Sequence, residues 1–138
     1  MIENDIHSRI IRQLQSNGPP TSNYNALNPL IIADIGCGDG SFTNNLISSI
    51  IIKKLKIHHI TKYLIDPFGN RDQNDIITLS DREFSDAFPS NHCDIIICKS
   101  VAHFFKNFNY WLFNCCRILI PNGSLYILHS IPNNNEYA

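Results

Sequence analysis

Apolar residues recur every four positions at the start of the chain, at Ile2, Ile6, Ile10 and Leu14, with Ile11 widening the stripe. That spacing predicts an amphipathic helix over residues 2–16. Asn17-Gly18-Pro19-Pro20 stops it, because proline cannot continue a helix and glycine favours its end. Residues 17–29 are polar, carry three prolines and read as a loop. The period then changes. Leu30-Ile31-Ile32-Ala33-Asp34-Ile35 is a short apolar run, the pattern of a strand buried on both faces. Glycines follow at 36, 38 and 40, and Phe42, Leu46 and Ile50 then step at helical spacing, with Ser41 as the expected N-cap. Further strands are predicted at 60–65, 76–79, 94–98 and 124–129. A helix is predicted at 107–119, ended by Pro121-Asn122-Gly123.

Strands alternating with connecting segments predict an α/β fold with a mainly parallel sheet of about five strands. The expected organisation is a helix and loop over 1–29, one domain over 30–132 and a tail over 133–138. A length of 138 residues, 43% of them apolar, fits one domain with a core of its own.

Charge adds mainly exclusions. The formal net charge is -1, so there is no global footprint for nucleic acid. Charged residues make up 17% of the chain and 17 asparagines fill the deficit. Both asparagine and the 23 isoleucines have A/T-rich codons, which reads as genome bias before function. The apolar stretch Leu46 to Leu55 is broken by Lys53 and Lys54 and is too short for a bilayer. The first 14 residues lack a signal-peptide core, so a soluble cytoplasmic protein is expected. Cys37, Cys93, Cys98, Cys115 and Cys116 are odd in number and have no C-x-x-C spacing. That argues against a disulfide framework and a zinc site, and no metal is expected.

The strongest chemical signal is Asp34-Ile35-Gly36-Cys37-Gly38-Asp39-Gly40, a D-x-G-x-G-x-G string between strand and helix. Glycine permits positive φ and lets a ligand approach without a Cβ in the way. The helix beyond the turn offers free N–H groups. Dinucleotide binding needs G-x-G-x-x-G, but the third glycine here falls one residue early. That favours an adenosyl ligand carrying an amino acid over one carrying a pyrophosphate. Asp66, at the end of the next strand, offers a carboxylate for both ribose hydroxyls.

At these residues the chain resembles the class I S-adenosylmethionine-dependent methyltransferases, over roughly residues 30–130. Ala33 to Gly40 matches the family's first motif, and Leu64-Ile65-Asp66 its acidic strand end. Ser80-Asp81 resembles the acidic position after the third strand. Cys93 to Cys98 with Val101-Ala102-His103 looks like the fourth strand and the segment after it. Arg117 to Gly123 is similar to the R-V-L-K-P-G-G turn before the fifth strand.

The resemblance implies a Rossmann-like, three-layer αβα fold with S-adenosylmethionine as cofactor and an unidentified methyl acceptor, expected to be a small molecule. It implies that Asp34, Gly36, Cys37, Gly38 and Gly40 surround the methionine part. Asp66 would hold the ribose, Phe68 would pack on the adenine face and Asp81 would meet the adenine amino group. Lys99 would face the cofactor from the end of the fourth strand. No catalytic residue is identified. Two other readings stand beside the enzyme: a catalytically degenerate cofactor- or partner-binding module of the same fold, and a nicotinamide dehydrogenase, which Ser41 speaks against.

Several residues have simpler readings. An aspartate before Pro67 is often a turn former. His103 reads as an ordinary histidine near a helix start before it reads as a base. His58 and His59, with Lys53, Lys54 and Lys56, suit a helix C-terminus. Phe104, Phe105, Phe108, Trp111 and Phe113 are expected mostly in the core, and Cys115 and Cys116 as small buried residues.

The chain also departs from the family pattern. Only nine residues separate Asp66 from Ile76, where a helix is usual, and only nine follow His129, so the usual C-terminal antiparallel strand pair is not expected. The fifth strand would then be an apolar sheet edge. A homodimer, a partner protein or a shortened gene product would each account for it.

Overall fold

The computed structural model describes residues 2–16, 23–66, 76–77, 84, 86–99 and 108–128. Helix α1 spans Ile2–Ser16 and strand β1 spans Leu30–Ile35. Helix α2 covers Ser41–Leu46 and runs on as a π-helical segment, Ile47–Ile52. Strands β2, β3 and β4 cover Ile60–Ile65, Ile76–Ile77 and Cys93–Lys99. Helix α3, Phe108–Ile118, passes directly into β5, Leu119–Leu128.

The five strands form one sheet in the order β3-β2-β1-β4-β5, and every pair is parallel. The chain therefore steps outward from β1 to β3, then returns to the other side of β1 for β4. That reversal is a topological switch point, and open parallel sheets bind ligands outside the carboxyl ends of the strands at such a point.

Alternation along β1 divides the core. Leu30 and Ile32 pack with Ile6, Ile10 and Leu14 of α1, with Phe42 and Leu46 of α2 and with Ile50 and Ile51 of the π segment. Ala33 and Ile35 pack on the opposite face with Trp111, Cys115 and Ile118 of α3 and with Phe84 and Phe88. Successive strand residues point to opposite faces, so an unbroken run such as Ile95-Ile96-Ile97 serves both. Ile95 and Ile97 join the first cluster and Ile96 the second.

Helix α1 is also held by polar contacts. Gln13 donates its amide to the Asp94 carbonyl at 3.2 Å and accepts the Tyr126 hydroxyl at 2.8 Å. The Asp94 carboxylate accepts the Ile31 N–H at 2.8 Å. Burial raises the carboxyl of Asp94, against the opposing effect of that bond.

The structure corrects several expectations. The N-cap of α2 is Gly40, with φ of 81°, and not Ser41. Ser41 is the first helical residue, and its N–H is taken by Asp39 Oδ1 at 2.9 Å. Strand β5 begins at Leu119, ahead of Pro121-Asn122-Gly123. Cys93 pairs with Leu119 and Ile95 with Ser124, so residues 120–123 form a bulge opposite Asp94. Proline lacks the ladder donor and is accommodated at such a bulge. A Cβ on Gly123 would stand 2.9 Å from the Ile120 carbonyl oxygen.

Along α3, Trp111, Cys115 and Ile118 form the inward stripe. Phe108 and Phe113 are 42% and 67% exposed, and Cys116 is exposed. His58 and His59 lie in the coil before β2, beyond the π segment. Phe104, Phe105 and the connection between Asp66 and Ile76 lie outside the described residues.

Candidate functional site

The glycine string folds into a compact loop over the carboxyl ends of β1 and β2. Gly36, Gly38 and Gly40 have φ of 75°, 60° and 81°, a region that side chains with a Cβ rarely occupy. Gly36 and Cys37 both donate their N–H to the Ile65 carbonyl, at 2.6 and 3.1 Å. Gly40 donates back to the Cys37 carbonyl at 2.9 Å and receives the Asn44 N–H at 3.0 Å. The loop is thus tied to the neighbouring strand, to itself and to the first turn of α2.

Gly40 and Gly38 face different surroundings. A Cβ on Gly40 would stand 2.7 Å from Leu64 Cδ1, so helix and sheet approach closely there. A Cβ on Gly38 would meet nothing within 4 Å. Gly38 therefore presents bare backbone to open space.

One carboxylate stands beside Gly38 and a second lies buried under the loop. Asp66 follows β2, and its N–H continues the ladder to the Ile77 carbonyl at 3.0 Å. Its Oδ2 accepts the Gly38 N–H at 3.1 Å. Asp34 lies beneath the loop, 1% exposed, and its Oδ2 accepts the Thr43 hydroxyl at 2.7 Å. The Cys37 thiol is half-buried on the loop and donates to the Gly38 carbonyl at 3.6 Å.

Of the expected site residues, Asp34, Gly36, Cys37, Gly38, Gly40 and Asp66 come together at this rim. Lys99 ends β4 at the same edge of the sheet, beside Leu128 of β5. Phe68, Asp81 and His103 lie outside the described residues. Thr43 was not expected at the site. Its one signal in the sequence is a hydroxyl between Phe42 and Leu46 on the apolar stripe of α2.

The residues present fit an adenosyl ligand carrying an amino acid. An uncovered glycine backbone leaves room for it. The Asp66 carboxylate suits a hydroxyl-rich or cationic partner, and would repel a pyrophosphate. Among the described residues, no group of histidines, cysteines or acidic residues is placed to hold a metal ion. No described helix is long and apolar enough to cross a membrane.

Comparison with known proteins gives a family and a fold. Residues 33–127 match the methyltransferase domain family. No curated protein matches the sequence. Among solved structures, the chain is similar to the DszA carbon methyltransferase, with a TM-score of 0.70 at 16% identity over 96% of this chain and 36% of that one. It is similar to the CurJ carbon methyltransferase, with a TM-score of 0.67 at 17% identity over 95% and 35%. A SAM-dependent methyltransferase from Aquifex aeolicus gives 0.55 at 15% identity over 93% and 67%. The chain thus spans about a third of the length of the first two, and at these identities the likeness concerns the fold. The glycine string, the strand order and the match over 33–127 agree: the chain belongs to the class I S-adenosylmethionine-dependent methyltransferase family.

Proposed function

We propose that this chain binds S-adenosylmethionine at the glycine loop and directs methyl transfer to a small-molecule acceptor. The observation that carries the reading is the open backbone of Gly38 beside the Asp66 carboxylate. In this reading Gly36, Cys37, Gly38 and Gly40 line the methionine part of the cofactor, and Asp34 supports them from beneath. Asp66 accepts hydrogen bonds from the ribose. The resemblance adds Phe68 at the adenine face, Asp81 at the adenine amino group and Lys99 at the sheet edge.

When bound, the cofactor supplies an electrophilic methyl group on a sulfonium. The chain's own residues then act by position and orientation, which carry much of the barrier reduction in a displacement between two bound partners. A small-molecule acceptor suits a chain without a basic footprint for nucleic acid. Five free cysteines suit the reducing cytoplasm.

Calorimetric titration of the purified chain tests the reading. S-adenosylmethionine and S-adenosylhomocysteine should both bind, and NAD should not. Absence of heat with both adenosyl ligands overturns it.

A further inference from the structure

Thr43 holds the third position of α2 and is fully buried. First-turn side chains of a helix lean back toward its N-terminus, and here that direction leads over the end of β1. The Thr43 hydroxyl reaches Asp34 Oδ2 at 2.7 Å, within the protein interior. The two residues stand at opposite ends of the glycine loop, one before Gly36 and one after Gly40. The cap of α2 makes no side-chain hydrogen bond, so Thr43 spends its hydroxyl on the strand end and not on the helix terminus. A buried polar group persists on an apolar stripe when it is paired, and valine would fill the same space without the bond.

We propose that Thr43 is a positioning residue for the cofactor. Its hydroxyl fixes the Asp34 carboxylate and, through it, the span of the loop that receives the amino-acid end of the ligand. Thr43 acts through Asp34 and does not touch the ligand. The inference rests on the cofactor reading above and adds selectivity between the two ends of the cofactor: the Thr43–Asp34 bond serves the methionine end, while Asp66 serves the ribose.

The test uses two ligands that differ only at the methionine end. S-adenosylhomocysteine carries the amino acid, and 5′-methylthioadenosine lacks it. Both are titrated into wild type, Thr43→Val and Thr43→Ser. Thr43→Val should weaken S-adenosylhomocysteine by roughly ten- to a hundredfold, the worth of a hydrogen bond to a charged group. It should leave 5′-methylthioadenosine within about twofold, on the same scale. Thr43→Ser should restore the affinity for S-adenosylhomocysteine.

Equal losses on both ligands overturn the inference, because a merely structural role predicts them. So does no loss on either, or failure of the serine variant to rescue. Should the valine variant not fold, Thr43→Ala and Thr43→Ser decide on the same criteria. A wild-type chain that binds neither ligand overturns the cofactor reading itself, and that outcome is read separately from any effect at Thr43.

Discussion

The carboxylate of Asp66 is bonded to the backbone N–H of Gly38 at 3.1 Å. The end of β2 is thereby tied to the middle of a loop that begins at β1, and the acceptor proposed for the ribose is already oriented by the loop proposed for the methionine part. Asp66→Ala should weaken adenosyl ligands by roughly ten- to a hundredfold, since hydrogen bonds to a charged group are lost. The fold should persist, because Gly38 is exposed and water can take its N–H. Calorimetry for affinity and thermal unfolding for stability check both halves. Unchanged affinity would remove Asp66 from the site.

Two neighbouring glycines should fail in different ways. Gly40→Ala places a methyl group 2.7 Å from Leu64 Cδ1 at a φ of 81°. Strain and overpacking together should cost about 2–4 kcal/mol of stability. Gly38→Ala has the same kind of φ but open space around it, so about 1–2 kcal/mol is expected. The methyl group would instead stand where the ligand approaches. Thermal unfolding should therefore rank Gly40→Ala as the worse variant, and a ligand titration should show a clear loss for Gly38→Ala.

Thiol labelling should report on the site directly. Cys37 is half-buried on the loop and Cys116 is exposed on α3, while Cys93, Cys98 and Cys115 are buried. A small alkylating reagent should modify Cys37 and Cys116 in the native chain and spare the other three. Saturating S-adenosylhomocysteine should protect Cys37 and leave Cys116 reactive. Mass spectrometry of the labelled peptides separates the two, and equal labelling of Cys37 with and without ligand would place the ligand elsewhere.

Alkaline pH should destabilise the protein through two buried groups, Cys93 and Tyr24. Burial, and then the Asp94 charge, push the Cys93 thiol up to about 12, and the Tyr24 hydroxyl likewise to about 12. In the unfolded chain these groups release their protons near 9.0 and 10.0, their ordinary values. Above those values the native state holds protons that the unfolded state has lost, so stability falls as pH rises. The melting temperature should decline between about pH 9 and pH 12. The buried Tyr24 hydroxyl has no hydrogen-bond partner among the described residues, so Tyr24→Phe should flatten the decline without loss of stability at neutral pH.

The sheet was legible where one signal dominated. The runs Leu30 to Ile35 and Ile60 to Ile65 give β1 and β2 to the residue, because each is a short apolar-rich run closed by a turn signal, Gly36 after the first and Asp66-Pro67 after the second. The start of β5 was not legible. Helix α3 enters β5 between Ile118 and Leu119 with no glycine or proline at the junction, and the local stop signal belongs instead to a bulge. The Ile50-Ile51-Ile52 run gave no hint of π-helical winding. At the site, the glycines and Asp66 announce themselves by residue type and spacing. The Thr43–Asp34 bond does not, since it arises only when α2 folds back over β1.

The bridge through Gln13 bears on the order in which the molecule is built. Its amide is bonded to Asp94 and Tyr126, which lie 81 and 113 positions further along the chain. During synthesis α1 leaves the ribosome well before β4 and β5, so both of its polar anchors are made late. Until β5 emerges, the apolar stripe of α1 lacks part of its native seat. Loop-closure entropy of this kind slows folding in proteins whose contacts are distant in sequence. A helix translated ahead of the whole sheet thus finds its first apolar partners in β1, α2 and the π segment, and completes its seat, with both polar anchors, only when β4 and β5 are in place.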